Sequence, residues 1–404
     1  FYTIRTGEWS DAFDAEGLLE NGGTKTIRMR SKLLGLDPDD ASGLKLYFSH
    51  ALNKDGELWC YPPEKAAGIN KGNNISTNNT LMAGLGINWI DLDTWMELIA
   101  MHYDWLGDTA EALLRDGDWD ILYCHAHPTD YIYHVLMTDL DSNTCSSKKA
   151  YDKAWECHRK LYAAADRYLG RLLAMFDDDT LVTLISDHGA TPDGPQINPE
   201  QIFTDAGLFR MEEPEIPEWA QELPENIRVA FIKMKQKIDY EHTLAVPERV
   251  CYAFVNLKGR DPGGIVEPED YEKVQDRIIR ALLDYKDPET GEYMVNLALK
   301  KRDAQLLGLW GEQVGDVVYS VKGKFSAQHG NILPTDQYGE VGDLRALCVF
   351  YGPELGIKKG YSMERRISLT DLVPTYCYLT GLPIPKDAEG SVIYQMLEDP
   401  DFRP

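Results

Sequence analysis

The sequence predicts an α/β fold built on a mainly parallel sheet, with an inserted region between core strands. Three observations lead there. The run Thr180-Leu181-Val182-Thr183-Leu184-Ile185 is short, apolar and β-branched, and reads as a strand buried on both faces. It stops abruptly on Ser186-Asp187-His188-Gly189, a polar end of the kind that carries ligands beyond the carboxyl ends of strands in open α/β sheets. A second buried strand is read at residues 119–124, running into the polar stretch His125-Ala126-His127-Pro128-Thr129-Asp130-Tyr131-Ile132-Tyr133-His134. Helical patterns lie before and between these runs, as a parallel sheet with crossover helices requires.

The elements follow in order. Residues 1–23 give a polar start and a helical stretch ending in Leu18-Leu19-Glu20, stopped by Asn21-Gly22-Gly23. Residues 24–29 read as a strand. Residues 31–80 are rich in Asp, Gly, Asn and Pro, with a short strand at 44–49 and a surface loop at 68–80. Gly84-Leu85-Gly86 is no phosphate loop, because no strand runs into it and a third glycine is lacking. Asp93 is placed to cap a helix over 94–114 that carries Trp95, Leu98, Ile99, Tyr103 and Leu106 on one side. A second helix spans 151–175, with Trp155, Tyr162, Ala165, Leu169, Leu172 and Leu173 on its apolar face.

Beyond the Thr180 run the character changes. Pro192, Pro195, Pro199, Pro214, Pro217 and Pro224 break up the chain. A strand at 252–257, the turn Lys258-Gly259-Arg260-Asp261-Pro262-Gly263-Gly264 and a helix starting at Pro268 follow. Residues 190–310 read as an inserted lid, and residues 1–189 and 311–404 as the core. Strands at 316–321 and 344–351 return to that core, with Gln328-His329-Gly330 between them. A helix begins in Ser368-Leu369-Thr370-Asp371-Leu372-Val373-Pro374-Thr375 and closes on Gly381-Leu382-Pro383.

Composition narrows the functional classes. The 404 residues are 43% hydrophobic and 26% charged, which is ordinary for a globular chain, and no apolar run approaches the roughly 20 residues of a membrane span. The net charge of −25 argues against a nucleic-acid or anionic-membrane surface. An anionic substrate would need local positive charge, and metal ions are a source of it. The seven cysteines are odd in number and form no CxxC pair. That suits a reducing, cytoplasmic setting with most of them as small core residues; the sequons at Asn74 and Asn78 then carry no weight. No signal-peptide pattern is legible at Phe1.

Three pieces offer metal ligands: Asp130 with His134, Asp187 with His188, and His329. Asp130 and His134 stand four apart, so one helical turn puts them on the same side. Carboxylate oxygen and imidazole nitrogen suit zinc, and manganese or iron in related geometries. Five such ligands exceed one catalytic metal's usual share. They suggest two divalent ions about 3.5–4 Å apart, the usual clamp for phosphoryl transfer. Each piece alone is commonplace: a lone Asp-x-x-x-His is usually a solvated helix face. Their joint occurrence, each beyond an expected strand, carries the weight. His125 and His127 are further imidazoles nearby, read as neighbours of the site.

On these residues the chain resembles the alkaline phosphatase superfamily, and within it the type I phosphodiesterase/nucleotide pyrophosphatase branch. The specific stretches are residues 130–134, Ile185-Ser186-Asp187-His188-Gly189, His329-Gly330 and the tail from Thr370-Asp371-Leu372-Val373-Pro374-Thr375 to Gly381-Leu382-Pro383-Ile384-Pro385; Asn256-Leu257-Lys258-Gly259-Arg260 looks like a stretch of bacterial members. The resemblance implies a three-layer α/β/α sandwich and hydrolysis of a small phosphate diester or nucleotide pyrophosphate. It assigns one metal to Asp130, His134 and His329 and a second to Asp187 and His188. It also implies a further Asp and a Thr or Ser nucleophile at the end of a first core strand. Neither is legible here; the expectation is that both lie upstream of Phe1, with Thr3, Thr6 and Ser10 candidates by residue type alone. A sulfatase is disfavoured, because no Cys-x-Pro-x-Arg stretch is present. A phosphomutase or phosphotransferase of the superfamily, or a metal-binding member without catalysis, stays open.

Overall fold

The structure, a computed structural model, describes residues 3–19, 22–40, 42–77, 83–115, 117, 119–192, 194–248, 251–323, 325 and 346–399. The chain forms two compact units. Phe1–Val135, Asp152–Ala190 and Arg345–Pro404 make the first, and Leu136–Tyr151 with Thr191–Leu344 the second.

In the first unit, β1 (Phe13–Leu18) and β2 (Thr24–Met29) form an antiparallel hairpin, with β5 (Leu52–Asn53) on the other edge of β2. A second antiparallel ribbon joins β3 (Ser31–Gly35) to β4 (Lys45–Phe48). Two short turns of helix, α1 (Ala66–Ile69) and α2 (Ala83–Gly86), lead to α3 (Leu92–Leu114). The Asp91 carboxylate accepts from the Thr94 amide and caps α3, so the cap falls two residues before the predicted Asp93. α4 (Pro128–Leu140) starts in this unit, and α5 (Lys148–Leu173) lies mostly within it. Lys153 bonds Asp93 near the helix starts and Arg171 bonds Asp108 and Glu111 near their ends, so α5 and α3 lie side by side in the same direction. Trp95, Leu98, Ile99, Ile132 and Leu161 are fully buried. β6 (Val182–Ile185) pairs with β11 (Cys348–Tyr351), and α10 (Leu372–Thr380) follows β11 in the chain.

In the second unit, β7 (Ala245–Glu248), β8 (Tyr252–Val255), β9 (Val295–Lys300) and β10 (Val317–Val321) form an antiparallel sheet in the order β7-β8-β10-β9. Val274, Ile278 and Leu282 of α8 (Tyr271–Asp284) pack into the core under that sheet, with Ile202 and Phe203 of α6 (Pro199–Asp205). α7 (Glu225–Lys235) and α9 (Lys301–Ala304) complete the unit.

The predicted mainly parallel central sheet is not seen: among the described residues every ladder between strands is antiparallel and the sheets are small. The Thr180 run forms a strand, but its partner β11 is antiparallel, and Leu184 and Ile185 stay 43% and 38% exposed. Residues 119–124 form no strand, and Ile121 and Tyr123 face solvent. An apolar run states that a segment suits burial; it carries no information on pairing direction, which is set by partners far along the chain. The stretch before Asn21 is a strand rather than a helix. The Gly22 amide bonds the Leu19 carbonyl, and the glycine's φ of +81° serves a hairpin turn rather than a helix stop. β10, placed in the core by the sequence reading, belongs to the second unit.

All seven cysteines are free; Cys157 and Cys251 are buried, Cys124 is exposed and the rest are intermediate. Among the described residues, no helix is long and apolar enough to cross a membrane.

The tail motif proves to be a joint. The Asp371 carboxylate accepts from the Ser368 amide at 2.9 Å and the Ser391 amide at 2.8 Å. Thr375 Oγ1 donates to the Asp371 carbonyl and accepts from the Ile393 amide. A side chain at Gly390 would meet the Thr370 carbonyl at 2.0 Å. The two amides, Ser391 first, hold the Asp371 carboxyl below its ordinary 3.8. A lowered folded pKa stabilises above the unfolded value, and the contribution is lost as pH falls through the folded one. Asp371→Asn should therefore cost about 1 kcal/mol at neutral pH, with the difference from wild type vanishing in strong acid. Urea melts at both pH values check this.

Candidate functional site

Asp130 lies in the first turn of α4, which starts at Pro128. Proline suits this first position, since it has no amide to leave unpaired. His127 caps the helix: its carbonyl accepts from the Asp130 and Tyr131 amides at 3.0 and 3.3 Å. One turn on, His134 faces the same side as Asp130, as their spacing predicts.

Three imidazoles converge on the Asp130 carboxylate. His127 Nε2 is 2.9 Å from Oδ2, His134 Nε2 3.4 Å from Oδ2, and His188 Nε2 3.7 Å from Oδ1. Burial would raise the pKa of Asp130, but His134 and His127 outweigh it and hold the carboxyl at about 2. It is thus a carboxylate at neutral pH, able only to accept. His188 follows the β6 strand end. Its Nδ1 lies 2.6 Å from the Gly189 carbonyl, which also only accepts, so Nδ1 carries the proton. Its Nε2 is the nitrogen that faces Asp130. Ser186 Oγ donates to the His188 carbonyl and steadies the turn.

The other residues singled out in the sequence stand as follows. Asp187 lies 3.8 Å from His188 Nε2, but its side chain is 81% exposed and turns outward. His329 lies outside the described residues. Thr3 and Thr6 are exposed, while Ser10 is buried and accepts from the Ser31 amide through its hydroxyl. His125 sets its ring edge-on to His127 at 5.1 Å. Sequence reasoning left His127 a bystander; the signal was its position three residues before Asp130 across a proline helix start. It also passed over His102, buried on α3 and stacked on Trp105. Burial first, then repulsion from His125 and His127, brings His102 down to about 4, so it is neutral at pH 7.

The donor set suits a divalent ion. Imidazole with carboxylate is a common zinc or manganese set. Among the described residues, no group of three His, Cys, Asp or Glu side chains is set as it stands to hold one metal ion.

A carboxylate ringed by imidazoles at a helix start, beside a strand end, is a constellation that hydrolases of phosphate esters can use. The chain belongs to the type I phosphodiesterase/nucleotide pyrophosphatase family of the alkaline phosphatase superfamily, whose family model matches residues 76–343. All five candidate ligands fall within the matched segment. No curated protein and no solved structure matches the chain. The family gives phosphate-ester hydrolysis as the class of activity.

Proposed function

We propose that this protein is a metal-dependent phosphodiesterase or nucleotide pyrophosphatase whose site is centred on Asp130. Family membership supports the reaction class. The observation that carries the siting is the convergence of His134 and His188 on the Asp130 carboxylate. Asp130 and His134 would hold one divalent ion with His329, and Asp187 and His188 a second, with zinc, manganese or iron as the ions such ligands suit. A bound ion supplies the positive charge that draws phosphoryl oxygens and lowers the pKa of an attacking oxygen.

The chain's own residues prepare for that charge. His188 commits Nδ1 to the Gly189 carbonyl, which makes Nε2 the nitrogen that faces Asp130. Asp130 stays ionised far below neutral pH, so it offers a full negative charge. The −25 net charge repels phosphate esters at long range, so binding has to depend on local compensation at this cluster.

The substrate class is tested by expressing the protein from its whole gene and comparing bis(4-nitrophenyl) phosphate, a dinucleotide pyrophosphate and 4-nitrophenyl phosphate with Zn2+ or Mn2+ present. The expected result is faster turnover of the diester or pyrophosphate than of the monoester. A preference for the monoester would overturn the diesterase assignment. Metal binding without turnover of any of the three would favour a non-catalytic member.

A further inference from the structure

We infer that His127 is a positioning residue that fixes the Asp130 carboxylate for metal binding. This rests on the reading above and assigns a role to a side chain outside the five proposed ligands.

His127 is the closest of the three imidazoles to Asp130, at 2.9 Å against 3.4 Å for His134 and 3.7 Å for His188. That is the length of a charge-assisted hydrogen bond, whereas the others are too long for a strong one. Because the carboxylate can only accept, His127 Nε2 carries the proton and donates. A nitrogen that donates to Oδ2 has no lone pair to give a metal, so through Nε2 His127 supports the Asp130 carboxylate rather than competing for its ion.

The residue is held on two further sides. Its carbonyl accepts from the Asp130 amide, so backbone and side chain both clasp the same residue. Its ring stacks on Tyr131 at 4.4 Å with an interplanar angle of 7°. These constraints fix the imidazole plane and, through Nε2–H, the rotation of the carboxylate. With Oδ2 held, Oδ1 is the oxygen turned toward His188. Partners that orient metal ligands in this way commonly govern affinity.

The test is Zn2+ affinity by competition with a chromophoric chelator, together with the Co2+ absorption spectrum, for wild type, His127→Ala, His127→Gln and Asp130→Asn. His127→Ala should weaken Zn2+ binding roughly 10–100-fold and leave the Co2+ band positions unchanged, because no ligand is removed. His127→Gln, whose amide N–H can donate to the same oxygen, should recover most of the affinity. Melting of the metal-free proteins shows whether each variant folds. If His127→Ala does not, His127→Gln decides alone: affinity near wild type supports the inference, and a loss equal to that of Asp130→Asn overturns it. Wild-type affinity in His127→Ala would overturn the positioning role while leaving the metal site standing. A Co2+ spectrum that loses a nitrogen ligand, with no rescue by Gln, would make His127 a ligand and overturn it too. Wild type that binds neither ion would instead sink the metal reading itself, and this inference with it.

Discussion

Asp130→Asn should lower Zn2+ affinity by more than about 100-fold, since changing a mere supporting partner of a metal ligand already costs roughly 10–100-fold. The substitution keeps the size and removes the charge. It also releases His127 and His134, whose nitrogens both approach Oδ2. His134→Ala should produce a loss of the same order, because its Nε2 faces the same carboxylate. His125→Ala is the control: its ring is exposed and touches His127 edge-on, so affinity should not change. Chelator competition gives all these constants. An Asp130→Asn variant that binds Zn2+ as wild type does would place the metal elsewhere.

The second large effect lies in the other unit and involves no metal. Arg260→Ala should destabilise the second unit by about 3–5 kcal/mol. Asp316 is fully buried, and Arg260 grips it with two parallel bonds, Nη1 to Oδ1 and Nη2 to Oδ2, each 2.8 Å. Tyr271 donates to Oδ1 and the Val255 amide to Oδ2, both at 2.7 Å. Gln275 donates to the Asp316 carbonyl, and Arg260 also reaches the Val255 carbonyl. Removing the guanidinium strands a buried charge whose remaining partners are neutral. The pair itself is weaker evidence of stability than its breakage suggests, because desolvation offsets much of its attraction. Arg260→Ala with Asp316→Asn should therefore be more stable than Arg260→Ala alone. Urea denaturation of the single and double variants checks this; a single-variant loss under about 1 kcal/mol would mean that solvent reaches Asp316 once the arginine is gone.

This network also explains the stretch Asn256-Leu257-Lys258-Gly259-Arg260. Asn256 Nδ2 donates to the Tyr240 and Thr243 carbonyls, and Gly259 takes a φ of +85° at the turn that returns Arg260 to Asp316. The motif was legible as a pattern, but its structural use was not, since Asp316 lies 56 residues further on.

Legibility in the sequence tracks how local each feature is. The helices at Leu92–Leu114, Lys148–Leu173 and Tyr271–Asp284 follow from apolar spacing and start signals within a few residues. So does the Asp130–His134 face, which needs one helical turn. Strand pairing is not local. Nothing in Thr180-Leu181-Val182-Thr183-Leu184-Ile185 says that residues 348–351 will lie beside it antiparallel. Phe13–Leu18 became a strand because Thr24–Met29 was close enough to pair through a glycine turn, which overrides a modest helical preference. The approach of His188 to Asp130, 58 residues earlier in the chain, could be suspected only from chemistry and resemblance.

The most direct measurement is turnover of bis(4-nitrophenyl) phosphate by protein expressed from its whole gene, stripped of metal and then titrated with Zn2+ or Mn2+. The account predicts no turnover without metal, a rise that saturates as metal is added, and loss of that rise in Asp130→Asn. Turnover that persists in the stripped protein, or is untouched by Asp130→Asn, would contradict it.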